Sequence, residues 1–172
     1  MKTIQRHTIS ILLENESGAL SRVAGLFSAR GYNIESVNVS MTNDPSLSRM
    51  TLVTCGDEQT IEQIIKQLNK LVDVVKLMDL AEHKHIEREL MMVKIAAKNI
   101  EACAAIKRIA DIFRARIIDI ANKTYTIEVT GGQAKIEAFL EAMNDHGIQE
   151  VVRSGALGIV RGSATLKVDE KA

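Results

Sequence analysis

Twice along this chain the apolar residues change their spacing in the same order, and that order restricts the fold more than any bulk property does. Thr8-Ile9-Ser10-Ile11-Leu12-Leu13 alternates polar and apolar, the period-2 signature of a strand. Leu20, Val23, Ala24 and Phe27 then recur at i, i+3, i+4 and i+7, one apolar stripe along a helix. Gly31 stands where a glycine ends such a helix. Ile34 to Met41 alternates again, with Val37, Val39 and Met41 on one side, and Asn43-Asp44-Pro45-Ser46 is a turn cluster. Arg49 to Cys55 returns as the second arm of a hairpin. Gly56-Asp57 opens a helix with Ile61, Ile64, Ile65, Leu68 and Leu71 on its buried face, and Asp73 to Leu80 closes the unit as a strand.

The resulting order, β-α-β-β-α-β, is the ferredoxin-like split motif, an antiparallel sheet with both helices on one face. The other face carries Ile and Val in places and must meet a partner or solvent. The same order follows in the second half. Leu90 to Ala97 reads as a strand, and Ile106, Ile109, Ala110 and Phe113 as a helix face. Arg116 to Ala121 and Tyr125 to Val129 are two strands, and Gly131-Gly132 breaks the chain before a helix with Ile136, Phe139, Leu140 and Met143. Gly147 to Val152 is the last strand. Sliding the second half back by 84 residues sets Asn99 beside Asn15 and Ile118 beside Ile34. The expected fold class is α+β, two tandem ferredoxin-like domains. Residues 1–80 form the first, 81–86 a linker, 87–165 the second and 166–172 a flexible tail. The stretch after Ser154, polar and punctuated by glycine, reads as mobile.

The segment between strand and first helix, Glu14-Asn15-Glu16-Ser17-Gly18-Ala19-Leu20, is the candidate site. Ser17 is the expected N-cap, and Gly18 has no Cβ. Such a loop points unpaired N–H groups and the positive end of a helix dipole at one spot, which suits a carboxylate. It contains no Lys or Arg to help hold a phosphate. Glu14, Asn15 and Glu16 offer acceptors to an ammonium. Two readings stand together on spacing alone: an ordinary capped turn, and a site for a free α-amino acid. The second loop, Asn99-Ile100-Glu101-Ala102-Cys103, has no Ser-Gly pair, and Ile117 faces Asn33, so that copy lacks the equipment.

Composition narrows the functional classes. The 172 residues carry 22 basic and 22 acidic side chains, so no electrostatic footprint for nucleic acid or an anionic membrane is present. Aromatics are 3% with no Trp, which removes base-stacking platforms and an RNA-binding reading of this fold. No apolar run approaches the ~20 residues of a membrane span. An acylphosphatase-like hydrolase would need a cationic loop where Glu14-Asn15-Glu16 stands. His83 and His85 with Glu82 and Glu87 could face a metal if that linker were extended, but no further ligand is in sight, and a solvated linker is the plainer reading. No catalytic triad or carboxylate pair can be assembled. Met1 to Arg6 carries no signal-peptide apolar region, and Cys55 and Cys103 read as buried thiols. A cytoplasmic protein, or the mature form of an organellar one, is expected.

Several runs carry a specific resemblance. Leu12-Leu13-Glu14-Asn15-Glu16-Ser17-Gly18-Ala19-Leu20-Ser21-Arg22-Val23, Arg30-Gly31-Tyr32-Asn33-Ile34-Glu35-Ser36, Asp44-Pro45-Ser46-Leu47-Ser48-Arg49-Met50-Thr51 and Gln67-Leu68-Asn69-Lys70-Leu71-Val72-Asp73-Val74 are similar to the regulatory (small) subunits of acetohydroxyacid synthase, also called acetolactate synthase. Glu87-Arg88-Glu89-Leu90, Phe113-Arg114-Ala115 and Arg153-Ser154-Gly155 extend the likeness, which runs from about Ile4 to Gly162. The resemblance implies an ACT domain first and a C-terminal regulatory domain second. It also implies a homodimer through the ACT domains and a catalytic large subunit as partner, activated by this chain and feedback-inhibited through it by valine. Thiamine diphosphate, Mg²⁺ and FAD belong to that partner, and this chain is expected to hold no cofactor and no catalytic site. The family's effector loop carries over onto Asn15, Gly18, Ala19 and Leu20, with Asn33 and Ile34 coming from the dimer mate. Leu13, Leu20 and Ile34 are expected to line a slot for a branched side chain. A stand-alone amino-acid sensor serving another partner shares this site and differs only in what it regulates.

Overall fold

In a computed structural model, which describes residues 4–168, the expected order of elements is present twice. The first sheet is built from β1 (Gln5–Glu14), β2 (Ser36–Met41), β3 (Leu47–Gly56) and β4 (Val74–Asp79), antiparallel in the order β2-β3-β1-β4. Two helices, α1 (Ala19–Arg30) and α2 (Glu58–Leu68), connect them. Alternation places Ile9, Ile11 and Leu13 of β1 on the helix side. The register sets Ile9 against Leu52 and Ile11 against Met50, so the same face continues across β3. These residues form one core with Val23, Leu26 and Phe27 of α1 and Ile61, Ile64 and Leu68 of α2. Each such side chain, fully buried, contributes about 1.5–3 kcal/mol. The chain reverses after α1 because Gly31 takes φ +67°, which lets the Tyr32 N–H return to the Phe27 carbonyl at 3.0 Å. Tyr32 then meets the Phe27 ring edge-on at 6.0 Å.

The second sheet follows the same plan. β5 (His85–Ala96), β6 (Arg116–Ala121), β7 (Thr124–Gly131) and β8 (Ile148–Arg153) lie in the order β6-β7-β5-β8, with α3 (Ile100–Ile112) and α4 (Gln133–Met143) as its helices. Met91, Val93 and Ile95 of β5 and Ile127 and Val129 of β7 face Ile106 and Ala110 of α3 and Ile136, Phe139 and Met143 of α4. Glu89, almost completely buried, is satisfied by the Arg153 guanidinium at 2.8 and 2.7 Å. Its carboxylate in turn raises the Arg153 pKa.

One expectation is corrected here. The stretch after Ser154 is ordered chain: Leu157–Val160 is a further strand, β9, which pairs with β5. Beside it the Arg161 N–H donates to the Lys84 carbonyl at 2.8 Å. Ala156 and Leu166 are both buried. Glycine here serves close packing: a Cβ at Gly158 would overlap Leu80 Cδ1 and lie 3.3 Å from Thr8 Cγ2. Contacts divide the molecule into one unit of Met1–Ile86 with Ala156–Ala172 and another of Glu87–Gly155. His85 and Ile86, in the stretch read as a linker, already belong to β5. Of the tail assigned to 166–172, residues 169–172 lie outside the described residues, as do residues 1–3 at the other end. Among the described residues no helix is long and apolar enough to cross a membrane.

Candidate functional site

The strand-to-helix loop turns on Gly18, which adopts φ +91° and ψ −12° and is itself the N-cap of α1. Ser17 does not cap the helix, and no side chain does. The left-handed turn at Gly18 starts the helix one residue later than a Ser17 cap would. The first helical bond runs from the Arg22 N–H to the Gly18 carbonyl at 2.9 Å. The Ala19 N–H donates to the Glu16 carbonyl at 3.3 Å, and the Leu20 and Ser21 N–H groups are left without a capping oxygen among the described residues. Ala19 is buried behind the loop, whereas Leu20 is 48% exposed and stands outside it.

Both sides of the loop are pinned. The Asn15 N–H donates to the Ser46 carbonyl at 2.7 Å, and its Nδ2 donates to the Pro45 carbonyl at 2.9 Å. Asn15 Oδ1 accepts from Ser48 Oγ at 3.0 Å. The amide thus spans the β2–β3 hairpin and keeps one donor and one acceptor position for anything outside. The hairpin turn is stiffened by Asp44, whose Oδ1 accepts from the Ser46 N–H and Oγ at 2.9 and 2.7 Å; these bonds lower the Asp44 pKa. On the other side, the Glu14 N–H donates to the Asp73 carbonyl at 2.9 Å.

A cation from outside the Glu14–Leu20 segment, which the sequence reading missed, is brought to the loop by the helix. Arg22 Nε and Nη2 donate to the two oxygens of Asp73, the second at 2.6 Å, and its Nη1 comes within 3.0 Å of where a Gly18 Cβ would stand. Asp73 is 3% exposed, so its charge depends on this partner. The hydrogen bonds from Arg22 hold the Asp73 pKa below its ordinary value, and those to Asp73 raise that of Arg22. Position i+4 from Gly18 was the signal available in the sequence, since it returns a helical side chain over the preceding turn.

The remaining expected residues lie elsewhere in the chain. Asn33 is exposed, and its carbonyl accepts from Thr54 Oγ1 at 2.6 Å, at the end of β3 away from Ser48. Ile34 is partly buried against the first core. Within one chain these two residues and the Glu14–Leu20 loop are therefore not together. Leu13, expected to line a slot, is 1% exposed and part of the core, because it shares the helix face of β1 with Ile9 and Ile11. In the second unit Asn99 is an ordinary N-cap, its Oδ1 accepting the Ala102 N–H at 2.8 Å, and Ile117 packs on the second core. A groove of about 800 Å³ lined by His7, Glu58, Glu62, Lys66, Asp79 and Glu82 contains none of the expected site residues. Among the described residues no group of three or more His, Cys, Asp or Glu could hold a metal ion.

Comparison with known proteins covers nearly the whole chain. Residues 9–76 match a family described as the AHAS small subunit-like ACT domain, and residues 88–162 one described as the small subunit of acetolactate synthase. The chain is 51% identical over 162 residues to the acetolactate synthase small subunit of Haemophilus influenzae, spanning 94% of this chain and 99% of that one. It is 52% identical over 163 residues to the acetolactate synthase isozyme 3 small subunit of Escherichia coli, with the same coverage of 94% and 99%. The crystal structure of the acetolactate synthase small subunit from Thermotoga maritima superposes with a TM-score of 0.83 at 37% identity, covering 93% of this chain and 99% of that one.

Proposed function

The chain belongs to the family of acetolactate synthase small subunits, and from that premise we propose that it regulates a catalytic large subunit of that enzyme in the cytoplasm. In this reading it activates the partner and makes it inhibitable by valine, within branched-chain amino acid biosynthesis. The first domain binds the effector and dimerises, and the second is the family's C-terminal regulatory domain. Thiamine diphosphate, Mg²⁺ and FAD belong to the catalytic partner, and this chain adds no catalytic group.

The observation that carries the proposal is the separation of the two halves of the site. Asn15 is tied to Ser48 and Asn33 to Thr54, at opposite ends of β3, about 20 Å apart at the ordinary rise of a strand. β2 runs between those ends as an edge strand, and among the described residues β3 is its only sheet neighbour. Its Val37, Val39 and Met41 are 42%, 38% and 61% exposed. Two copies paired antiparallel along β2 about a two-fold axis would set Asn33 and Ile34 of one against Asn15, Gly18, Ala19 and Leu20 of the other. The amino acid's carboxylate then meets the uncapped N–H groups, and its ammonium meets the amide and carboxylate acceptors. Leu20 and Ile34 flank the aliphatic side chain. A slot of this kind separates one methylene by only about 1–3 kcal/mol, so isoleucine and leucine compete with valine. Valine stabilises one arrangement of the dimer, and the catalytic subunit feels a coupling of about 1–3 kcal/mol.

Thermal melts of the purified chain with and without valine test the reading. Valine at a hundred times its Kd should stabilise the protein by about 2.7 kcal/mol. That raises Tm by roughly 5–10 °C. Gly18→Asp should lose the shift, since it strains a φ of +91° and crowds Arg22 Nη1. In an assay reconstituted with the large subunit, the same variant should still activate but resist valine. Valine inhibition that survives Gly18→Asp would remove the loop from the site.

A further inference from the structure

We infer that Arg22 is the cationic member of the effector site, held over the loop by Asp73; the inference rests on the effector reading above. The loop itself, Glu14 to Ala19, offers an amino acid's carboxylate no cation: its donors are backbone N–H groups, the Asn15 amide and the Ser17 hydroxyl, and two of its side chains are acidic. Arg22 changes that balance, because the fork of its guanidinium is divided between two tasks. Nε and Nη2 bind the buried Asp73 carboxylate. Nη1, the third nitrogen, makes no hydrogen bond among the described residues and lies on the Gly18 side of the pair. A carboxylate approaching the uncapped N–H groups beside Gly18 meets that nitrogen too. A guanidinium is suited to this, since it serves one carboxylate with one edge and another with the next.

Asp73 is the positioning residue. It is 3% exposed and Arg22 is exposed, so the buried partner fixes the exposed one. The same residue accepts the Glu14 N–H on its backbone carbonyl at 2.9 Å, and therefore holds the loop's entry with its main chain and its exit through Arg22. Gly18 is the third part of the device. Any side chain there would stand 3.0 Å from Nη1, in the space the ligand's carboxylate has to use.

The test separates a charge acting on the ligand from a brace that only keeps the domain folded. Binding of valine and of valinamide, which lacks the carboxylate, is measured by calorimetry for the full-length chain, Arg22→Gln, Arg22→Lys and Asp73→Asn. The unmodified chain should prefer valine over valinamide. Arg22→Gln should bind valine about 10–100-fold more weakly, the worth of one hydrogen bond to a charged group, while its affinity for valinamide changes little. Arg22→Lys, which keeps the charge without the fork, should fall between, and Asp73→Asn should weaken valine binding with the charge still present. If Arg22→Gln fails to fold, Arg22→Lys carries the comparison. An unchanged ratio of valine to valinamide affinity in the Arg22 variants overturns the assignment of Arg22 and leaves the loop as the site. Absence of valine binding in the unmodified chain overturns the effector reading and this inference with it.

Discussion

Leu13 and Leu20 stand seven positions apart on the two sides of the loop, and the fold separates their roles. Leu13 is 1% exposed among Ile9, Ile11 and Met50, whereas Leu20 is 48% exposed at the start of α1. Leu13→Ala should cost about 2–5 kcal/mol in urea denaturation, the ordinary result of emptying a packed core position. Leu20→Ala should leave stability within about 0.5 kcal/mol and instead weaken the thermal response to valine. Equal destabilisation by the two substitutions would contradict this division. The sequence alone did not separate them, because a leucine at a strand end and one at a helix start both fit an apolar slot until the register fixes which face each occupies. Arg22 was hidden for a related reason. Its partner Asp73 lies 51 residues away, and only the pairing of β1 with β4 brings the two together.

The helices begin by two devices, an Asp or Asn side-chain cap at α2 and α3 and an uncapped glycine at α1 and α4, and the devices differ in worth. α2 starts on Asp57, whose Oδ1 accepts the Thr60 N–H at 2.8 Å; α1 starts on Gly18 with no side-chain cap. Asp57→Ala should therefore cost about 1 kcal/mol, while Ser17→Ala should change stability by less than about 0.5 kcal/mol. Chemical denaturation of the two variants side by side decides it, and a full cap's loss at Ser17 would mean that the serine does cap α1. Periods of 2 and 3.6 made β1, β2 and the four α-helices legible, because burial on one face imposes the pattern directly, and the remaining strands through β8 followed from apolar runs and turn residues between them. The start of α1 was not legible in the same way. A Ser-Gly pair satisfies both a serine cap and a left-handed glycine turn, and the choice rests on Gly18 reaching φ +91° while the flanking strand and hairpin are pinned.

At the scale of the molecule, the first unit is not a continuous stretch of chain. It comprises Met1–Ile86 and Ala156–Ala172, so Glu87–Gly155 is in effect an insertion within it. Repeat spacing could reveal two copies of a motif but not that a segment after the second copy completes the first, since β9 is four residues long and its glycine is also a turn signal. What marks the segment as part of the first unit is packing. Gly158 lies against Leu80 and Thr8, the Arg161 N–H meets the Lys84 carbonyl, and Ala156 and Leu166 are 3% and 7% exposed. Removing residues 156–172 strips these contacts and uncovers Leu80. The loss of Leu166 burial alone is worth about 1.5–3 kcal/mol. At the sensitivity of a small domain that lowers the first unit's Tm by roughly 10 °C. Hydrogen exchange followed by peptide should then rise through β1, around Thr8 to Leu13, while β7 of the second unit keeps its protection. Gly158→Val, which drives a side chain into Leu80 without shortening the chain, should produce the same pattern in milder form. Unchanged exchange in β1 for both variants would mean that the returning segment only rests on the domain, and a rise of equal size in both units would mean that the chain unfolds as one body.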